Sequence, residues 1–402
     1  MEKKPLELYI HIPFCIKKCG YCDFLSMPAD EDTRRHYVNV LLQEIRQKSK
    51  ALPDYEVISL FFGGGTPSIL PGGQIAKIME TVGQTFSLIP NAEITIECNP
   101  GTLGRQKLLQ YKNAGVNRLS IGLQSTHNKE LQNLGRIHTY EEFLETYGLA
   151  RKAGFENISI DLMSALPGQR VWDWIYTLER VLKLKPEHIS AYSLIIEEGT
   201  PFFALYAEDE RRRERGDMPV FLPDEESERR MYDMTVQMLA GKGYKRYEIS
   251  NYAKPGRECR HNIGYWRRVP YLGLGLGSAS LIGDVRFSNT AGLQDYLDGK
   301  YGNLESLLQG GLGGYPPSAI TYLDKRQQME EFMFLGLRMM EGISREAFRE
   351  NFGIEIDGVY GAVIKELAQQ GLLAQEFGRV FLTEDGISVS NYVMGQFLLE
   401  GT

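Results

Sequence analysis

The sequence predicts an α/β protein. Six strand–helix units form either an open doubly wound sheet or a partial TIM-like barrel, and a winged-helix-like α+β domain follows them. Three observations lead there. Short β-rich runs recur with helical pattern between them, which calls for parallel strands joined by right-handed crossovers. Polar residues and glycines gather at the ends of those runs, where both architectures place their chemistry. Beyond residue 325 the alternation gives way to helices and one short hairpin.

The six runs are LELYIHIPF (6–14), VISLFFGGG (57–65), EITIECNP (93–100), RLSIGLQS (118–125), NISIDLMS (157–164) and HISAYSLII (188–196). Between them, segments such as DTRRHYVNVLLQEIRQKSK and YEEFLETYGLARKAGF carry apolar residues at helical spacing. Gly115 and Gly154 stand where helices end. Cys15 follows the first run, Gly63, Gly64, Gly65 and Thr66 close the second, and Glu97 with Asn99 closes the third. Gln124 ends the fourth, Asp161 lies late in the fifth and Ser193 lies on the sixth. Turns are polar anyway, but an internal Glu, Gln and Asp on buried strands point to a ligand.

These strands define a first domain over residues 1–200. A connecting region, 201–310, holds the mixed-charge run EDERRRERGD (208–217), expected as a solvated helix or loop. It also holds CRHNIGYW (259–266) and GLGLGSAS (273–280). The latter lacks the strand–turn–helix setting of a dinucleotide fold and reads as a close-packed turn near the substrate side. GGLGGYPPSA (310–319) reads as a linker, and the last domain covers 320–402. That domain has 7 basic against 13 acidic residues from Asp324 to Thr402, so packing or docking, not DNA reading, is expected of it.

Composition excludes several classes. The chain has 402 residues, 43% of them apolar, and 45 Lys+Arg against 52 Asp+Glu give a net charge of −7. A general nucleic-acid binder would be basic. No run approaches the ~20 apolar residues that span a bilayer, and the N-terminal stretch carries Glu7 and His11 instead of a signal-peptide core. A soluble, cytoplasmic protein is expected. Five cysteines, an odd number clustered at one end, indicate metal chemistry in a reducing compartment rather than disulfides.

Cys15, Cys19 and Cys22 fall within eight positions, in HIPFCIKKCGYCDF, and the pattern stops at Phe24. A structural zinc site wants four ligands, which Cys98, Cys259 or His11 would have to complete. A [4Fe–4S] cube bound at three corners, with one iron left open, is the alternative.

CxxxCxYC after a first strand, with GGGTP after the second, resembles the radical S-adenosylmethionine (SAM) superfamily, and the resemblance covers essentially the whole chain. It implies a partial (β/α)6 radical SAM barrel whose cluster is held by Cys15, Cys19 and Cys22. In that superfamily the amino and carboxylate groups of SAM chelate the open iron, and one electron cleaves the sulfonium to methionine and a 5′-deoxyadenosyl radical. By the same resemblance Tyr9, Tyr21, Gly64, Gly65, Thr66, Glu97, Gln124, Arg136 and Asp161 match SAM-contacting positions. Their chemistry suits it. The glycines and Thr66 allow close backbone approach to the methionine amino group, Glu97 suits ribose hydroxyls or a cation, and Arg136 suits the carboxylate.

HIPFC, YCDF, ECNP, GLQS, DLMSALPGQ and AYSL resemble the oxygen-independent coproporphyrinogen oxidase group in particular. Its decarboxylases, HemN, carry one more cysteine, where this chain has Phe24, and a long leader, where this chain has about eight residues before its first strand. The departures resemble instead the HemW branch, the heme chaperones. HNxxYW within CRHNIGYW is the heme-associated motif of that branch, implying His261 as an iron ligand, with Cys259 as a rival. The resemblance therefore implies heme binding and delivery to acceptor hemoproteins, with SAM turnover left open. It also implies a flavodoxin-type electron donor, and it is compatible with a homodimer and with peripheral membrane association. A radical SAM oxidoreductase acting on a porphyrinogen is the second reading.

Overall fold

The computed structural model describes residues 3–399. The expected units appear in order: β1 (Lys4–Ile12), α1 (Glu31–Lys48), β2 (Tyr55–Gly64), α2 (Gly72–Thr85), β3 (Ser87–Cys98), α3 (Arg105–Asn113) and β4 (Arg118–Gln124). They continue through α4 (Asn128–Leu134), α5 (Tyr140–Lys152), β5 (Ile158–Ser164), α6 (Val171–Leu184) and β6 (His188–Ser193). Strands β1 to β6 pair in parallel and in sequence order. A doubly wound sheet would reverse its order around the first strand. An order that never reverses is a barrel wall, and the barrel stays partial because β1 and β6 do not pair with each other.

Alternation along β1 sets its two faces. Leu6, Leu8, Ile10 and Ile12 are fully buried in the main apolar core, while Glu7, Tyr9 and His11 point into the barrel. Strand β4 is buried at every residue, as a strand covered on both faces should be. Asp30 accepts from Thr33 N at 2.7 Å and so caps the start of α1, and Gly135 ends α4 in the left-handed region.

The chain then extends the same sheet at both edges. Helices α7 (Pro201–Glu214) and α8 (Glu225–Ala240) lead to β7 (Lys245–Arg246) and β8 (Asn251–Ala253), which join beyond β6. Helix α9 (Arg260–Trp266) crosses over, and β9 (Tyr271–Leu274) pairs in parallel with β1. Strands β10 (Ala279–Ile282) and β11 (Val285–Ser288) follow, then α10 (Leu293–Leu297), α11 (Leu304–Leu308) and β12 (Ile320–Tyr322), for twelve strands in all. The expected linker is not free of the core: Tyr315 is buried there, with the Lys48 ammonium 5.6 Å from its ring centre. The close-packed turn is close-packed, against α1 and against the loop after β1, where a side chain at Gly277 would meet Leu25. A side chain at Gly275 would meet the Tyr37 hydroxyl at 2.5 Å. A buried Lys48–Glu44 pair at 2.8 Å, satisfied further by Asn289, Tyr296 and Gly275 N, holds this extension to α1.

The C-terminal domain has its own apolar core, centred on Met333, Phe348, Tyr360 and Phe397. Its helices are α12 (Lys325–Gly336), α13 (Arg345–Phe352), α14 (Ile356–Gln369), α15 (Glu384–Ser388) and α16 (Ser390–Gly395). Strand β13 (Ile343–Ser344) and the hairpin β14 (Leu373–Glu376)–β15 (Arg379–Leu382) form the wing. Glu331 joins it to the barrel extension by accepting from Arg268 at 3.0 Å and Arg286 at 2.6 Å. Among the described residues no helix is long and apolar enough to cross a membrane.

Candidate metal and cofactor site

The loop after β1 is shaped by its backbone. Cys15 N donates to Met27 O and Met27 N to Pro13 O, at 3.0 and 2.8 Å, which closes the loop on itself. Gly20 N donates to Leu134 O and Gly20 O accepts from Phe202 N, at 3.1 and 2.9 Å, which pins its tip. A side chain at Gly20 would collide with the Phe202 ring at 2.6 Å. His11 is fully committed below the loop: Nδ1 accepts from the Tyr9 hydroxyl and Nε2 donates to Leu25 O, at 3.1 and 2.9 Å.

The loop thus presents Cys15, Cys19 and Cys22, all free and half-buried, to one cavity. Its opposite wall is made by the strand ends: Gly64, Gly65, Thr66, Glu97, Gln124 and Asp161, with Arg136 and Tyr21 at the sides. Eleven of the thirteen residues that the resemblance assigned to cluster, SAM or heme therefore meet in one place. Tyr9 lies just outside, with its hydroxyl on His11 and its ring beside Phe61. His261 lies elsewhere altogether.

Each wall residue is held. Gly64 has φ +109°, and a side chain there would strike the His11 ring at 2.5 Å. Thr66 Oγ1 donates to Cys15 Sγ at 3.4 Å and accepts from Asn99 Nδ2 at 2.9 Å. Arg136 donates through Nη2 to Asn99 Oδ1 and Gly122 O, at 2.5 and 2.7 Å, and reaches Cys19 Sγ at 3.9 Å through Nη1. Its buried Nε has no partner. Asp161 accepts from Ser120 and Ser159. Gln124, at φ +70° after a bulge in β4, accepts from the Tyr192 hydroxyl at 3.1 Å. Burial and the neighbouring Asp161 push the Glu97 carboxyl up to about 8, against the hydrogen bond from Gly64 N. At neutral pH this carboxyl is largely protonated, and a bound cation would favour its ionised form.

Sequence reasoning missed Asn99, Ser120 and Tyr192 as site residues. Asn99 was marked as a strand end, but its place between Arg136 and Thr66 needs a contact across three strands. On β6 the polar Ser193 was singled out, whereas Tyr192 lines the cavity and Ser193 approaches Ser164 at 3.3 Å. The parity of β6 relative to β5 was the missing signal.

A closed zinc site does not assemble. Among the described residues no group of three or more His, Cys, Asp or Glu is close enough for one metal ion. Cys98 Sγ donates to Ile96 O, and Cys259 Sγ donates to Glu93 Oε1. Three free thiols spread around one cavity, facing a cradle of glycine backbone, a partnerless guanidinium Nε and two acids, fit a larger cluster with a zwitterionic ligand.

His261 sits at the opposite end of the barrel, on α9, at 1% exposure. Ser59 Oγ bridges Glu7 Oε1, at 2.9 Å, and His261 Nδ1, at 2.8 Å. Its Nε2 is buried without a partner. The ring is stacked on Phe61 and edge-on to Tyr265. Burial, helped by Arg118, lowers its pKa to about 3, and burial raises that of Glu7 to about 9, so both are neutral. Helix α9 comes this close because residue 264 is glycine: a side chain there would meet the Glu7 carboxyl at 2.1 Å.

The comparisons agree with this geometry. Residues 9–181 match the Radical SAM superfamily and residues 323–389 the HemN C-terminal domain. The chain is 36% identical to the heme chaperone HemW of Bacillus subtilis, covering 98% of this chain and 99% of that one. It is 34% identical to HemW of Escherichia coli over 98% and 99% of the two chains. It is also 33% identical to the mitochondrial radical S-adenosyl methionine domain-containing protein 1 of Danio rerio, over 98% and 87%. Among solved structures, coproporphyrinogen III oxidase (HemN) from Escherichia coli superposes with a TM-score of 0.79 at 23% identity, covering 99% of this chain and 91% of that one. Such a likeness fixes the fold, whereas the full-length relatives fix the family: the chain belongs to the HemW family of the radical SAM superfamily.

Proposed function

We propose that the protein is a heme chaperone built on a radical SAM core, which binds heme and passes it to acceptor hemoproteins. The observation that carries this reading is the cavity itself, where three cysteines with no fourth face a ready-made cradle, in a chain whose full-length relatives are named heme chaperones. Cys15, Cys19 and Cys22 hold a [4Fe–4S] cluster, which supplies an open iron and one electron for SAM. The chain's own residues bind and orient that SAM. Gly64 and Gly65 offer backbone, Thr66 orders Cys15, and Arg136 takes the methionine carboxylate. Glu97, Gln124 and Asp161 meet the amino and ribose groups, and Tyr21 closes one side, while Tyr9 lies just outside and holds His11 below the loop. A flavodoxin-type protein supplies the electron, a homodimer is the assembly, and the location is cytoplasmic with peripheral contact to the membrane.

His261 has the chemistry of an iron ligand, a neutral ring oriented through Nδ1 with an unpartnered Nε2. Taking iron there requires α9 to move, since the ring is enclosed. The second reading, oxidative decarboxylation of a porphyrinogen, draws on the HemN fold but has Phe24 where that enzyme's further cysteine would fall. The test is to load the anaerobically reconstituted protein with heme, add an apo-hemoprotein and follow the Soret band of the acceptor. Transfer without conversion of coproporphyrinogen is expected. Release of CO₂ from that substrate, with no transfer, would replace this reading by the second.

A further inference from the structure

The run at 208–217, whose charges the sequence left without a role, has one in the structure. Asp209 is buried, and its carboxylate accepts three successive backbone N–H groups, Val220, Phe221 and Leu222, at 2.9, 2.6 and 2.8 Å. Arg212 Nε donates to Met218 O at 2.8 Å, and Arg213 donates to Pro223 O. Phe221 O accepts from Gly168 N at 2.7 Å, which ties this loop to the turn after β5, the strand that brings Asp161 to the cavity.

What the loop shows to solvent is apolar. Met218 is 66% exposed, Val220 64% and Phe221 57%, and across from them Trp172 on α6 is 72% exposed. Trp172 and Met218 line one cleft of about 340 Å³, with Val171, Pro219 and Leu222 as its floor. Large exposed side chains normally turn inward or lie scattered; here Arg212 and Asp209 hold the backbone of Met218, Val220 and Phe221, and Met218 shares its cleft with the exposed Trp172. Arg170 and Arg230 stand in the same cleft. Arg170 shares its guanidinium with Asp173 at 3.0 Å, and no ion pair is seen for Arg230 among the described residues. The cleft's own acid, Asp224, is occupied as the N-cap of α8, accepting from Ser227 N.

An indole plane, a thioether and guanidinium groups in one shallow cleft are complementary to a flat apolar disc with a soft metal at its centre and carboxylates at its edge. We infer that this cleft is a docking site for a metalloporphyrin dicarboxylate, with Met218 Sδ as iron ligand, Trp172 as stacking wall and Arg230 with Arg170 as carboxylate partners. The inference rests on the heme-chaperone reading and gives heme an accessible site on the rim that bears the cysteine loop, whereas His261 is enclosed. A metal bound through one exposed thioether leaves readily, which suits cargo.

The experiment is a titration with ferrous heme, read at the Soret band, of the full chain and of Met218→Leu, Trp172→Ala and Arg230→Gln. The replaced side chains are exposed, so thermal melts of the variants should coincide with that of the wild type. Met218→Leu should shift the Soret maximum and weaken binding roughly tenfold. Trp172→Ala should weaken it about tenfold with the maximum unmoved. Arg230→Gln should weaken it about threefold, and more at low salt. Variants that bind with the wild-type Kd and spectrum overturn the site. If they bind normally but no longer pass heme to an acceptor, the patch is a protein-docking surface and the proposal is equally overturned. A wild-type chain without a saturable Soret change removes the heme-chaperone reading itself, which separates the two failures.

Discussion

The barrel carries a constellation of titratable side chains at each end, and the two are built oppositely. At the rim, three thiols, Arg136, Glu97 and Asp161 surround a cavity and keep unfilled capacity, such as the partnerless Arg136 Nε. At the floor, Glu7, Ser59, Glu93, Cys259 and His261 bond to one another, with Phe61 and Tyr265 packed over the ring. Each end grew from a short motif, CxxxCxYC or HNxxYW, rich in metal-ligating residues. The difference is access. A loop held by backbone bonds can offer its side chains outward, whereas a helix wedged under a barrel by Gly264 must spend most of its polar atoms on the fold.

Five experiments would break or sharpen that contrast. The largest effect is expected at the rim: Cys19→Ala should lose essentially all of the about four iron and four sulfide per chain that a [4Fe–4S] cluster brings. Its melting temperature without metal should be unchanged, because the loop is fixed by backbone bonds. Iron retained in this variant, or stoichiometric zinc in the wild type, would remove the cluster assignment.

The floor should respond in stability instead. Glu93 accepts from Arg260 N and His261 N at the start of α9 and from Cys259 Sγ. Glu93→Ala should therefore cost about 2–4 kcal/mol by urea unfolding, with iron content intact. Smaller is Arg136→Lys, which keeps the charge but cannot span Asn99, Gly122 and Cys19 together. SAM binding measured by calorimetry should weaken about tenfold.

The smallest effect is one of pH. Glu97, raised to about 8, is mostly protonated at pH 7, and its ionised form favours the cationic sulfonium. SAM affinity should rise by up to about tenfold from pH 7 to pH 9 and then level off. Glu97→Gln should flatten that profile; a profile that falls with pH would contradict the assignment. The floor has the reverse sensitivity. His261, lowered to about 3, stays neutral in the fold but takes a proton in the unfolded chain near its ordinary value of 6.5. Stability is therefore lost as pH falls below about 6.5 toward 3, at about 1.4 kcal/mol per pH unit for this group. His261→Asn should reduce that slope.

Much of the molecule was legible in the chain. Strands long enough to show their pattern were found close to where they lie, RLSIGLQS against Arg118–Gln124 and NISIDLMS against Ile158–Ser164. The strand-end rule then gathered seven of the cavity residues, Cys15, Gly64, Gly65, Thr66, Glu97, Gln124 and Asp161, because parallel strands in sequence order bring their carboxyl ends to one rim; Cys19 and Cys22 came from the cysteine motif, and Tyr21 and Arg136 from the family resemblance. The short strands β7 to β12, of two to four residues, were not legible. They carry no period of their own and exist because the barrel's open edges offer unpaired backbone.

What the sequence determined by itself was the alternation, the three-cysteine loop and the glycines that let backbone approach backbone, since these depend on neighbours within a few positions. What only the tertiary structure decided was exposure. It enclosed His261, put Tyr192 rather than Ser193 at the cavity, and turned Asp209 inward so that Met218 and Phe221 face out. Burial is set by residues far apart in the chain, by register between strands and by which helix covers which end. One segment's pattern of polar and apolar residues specifies a face, but not what that face will meet.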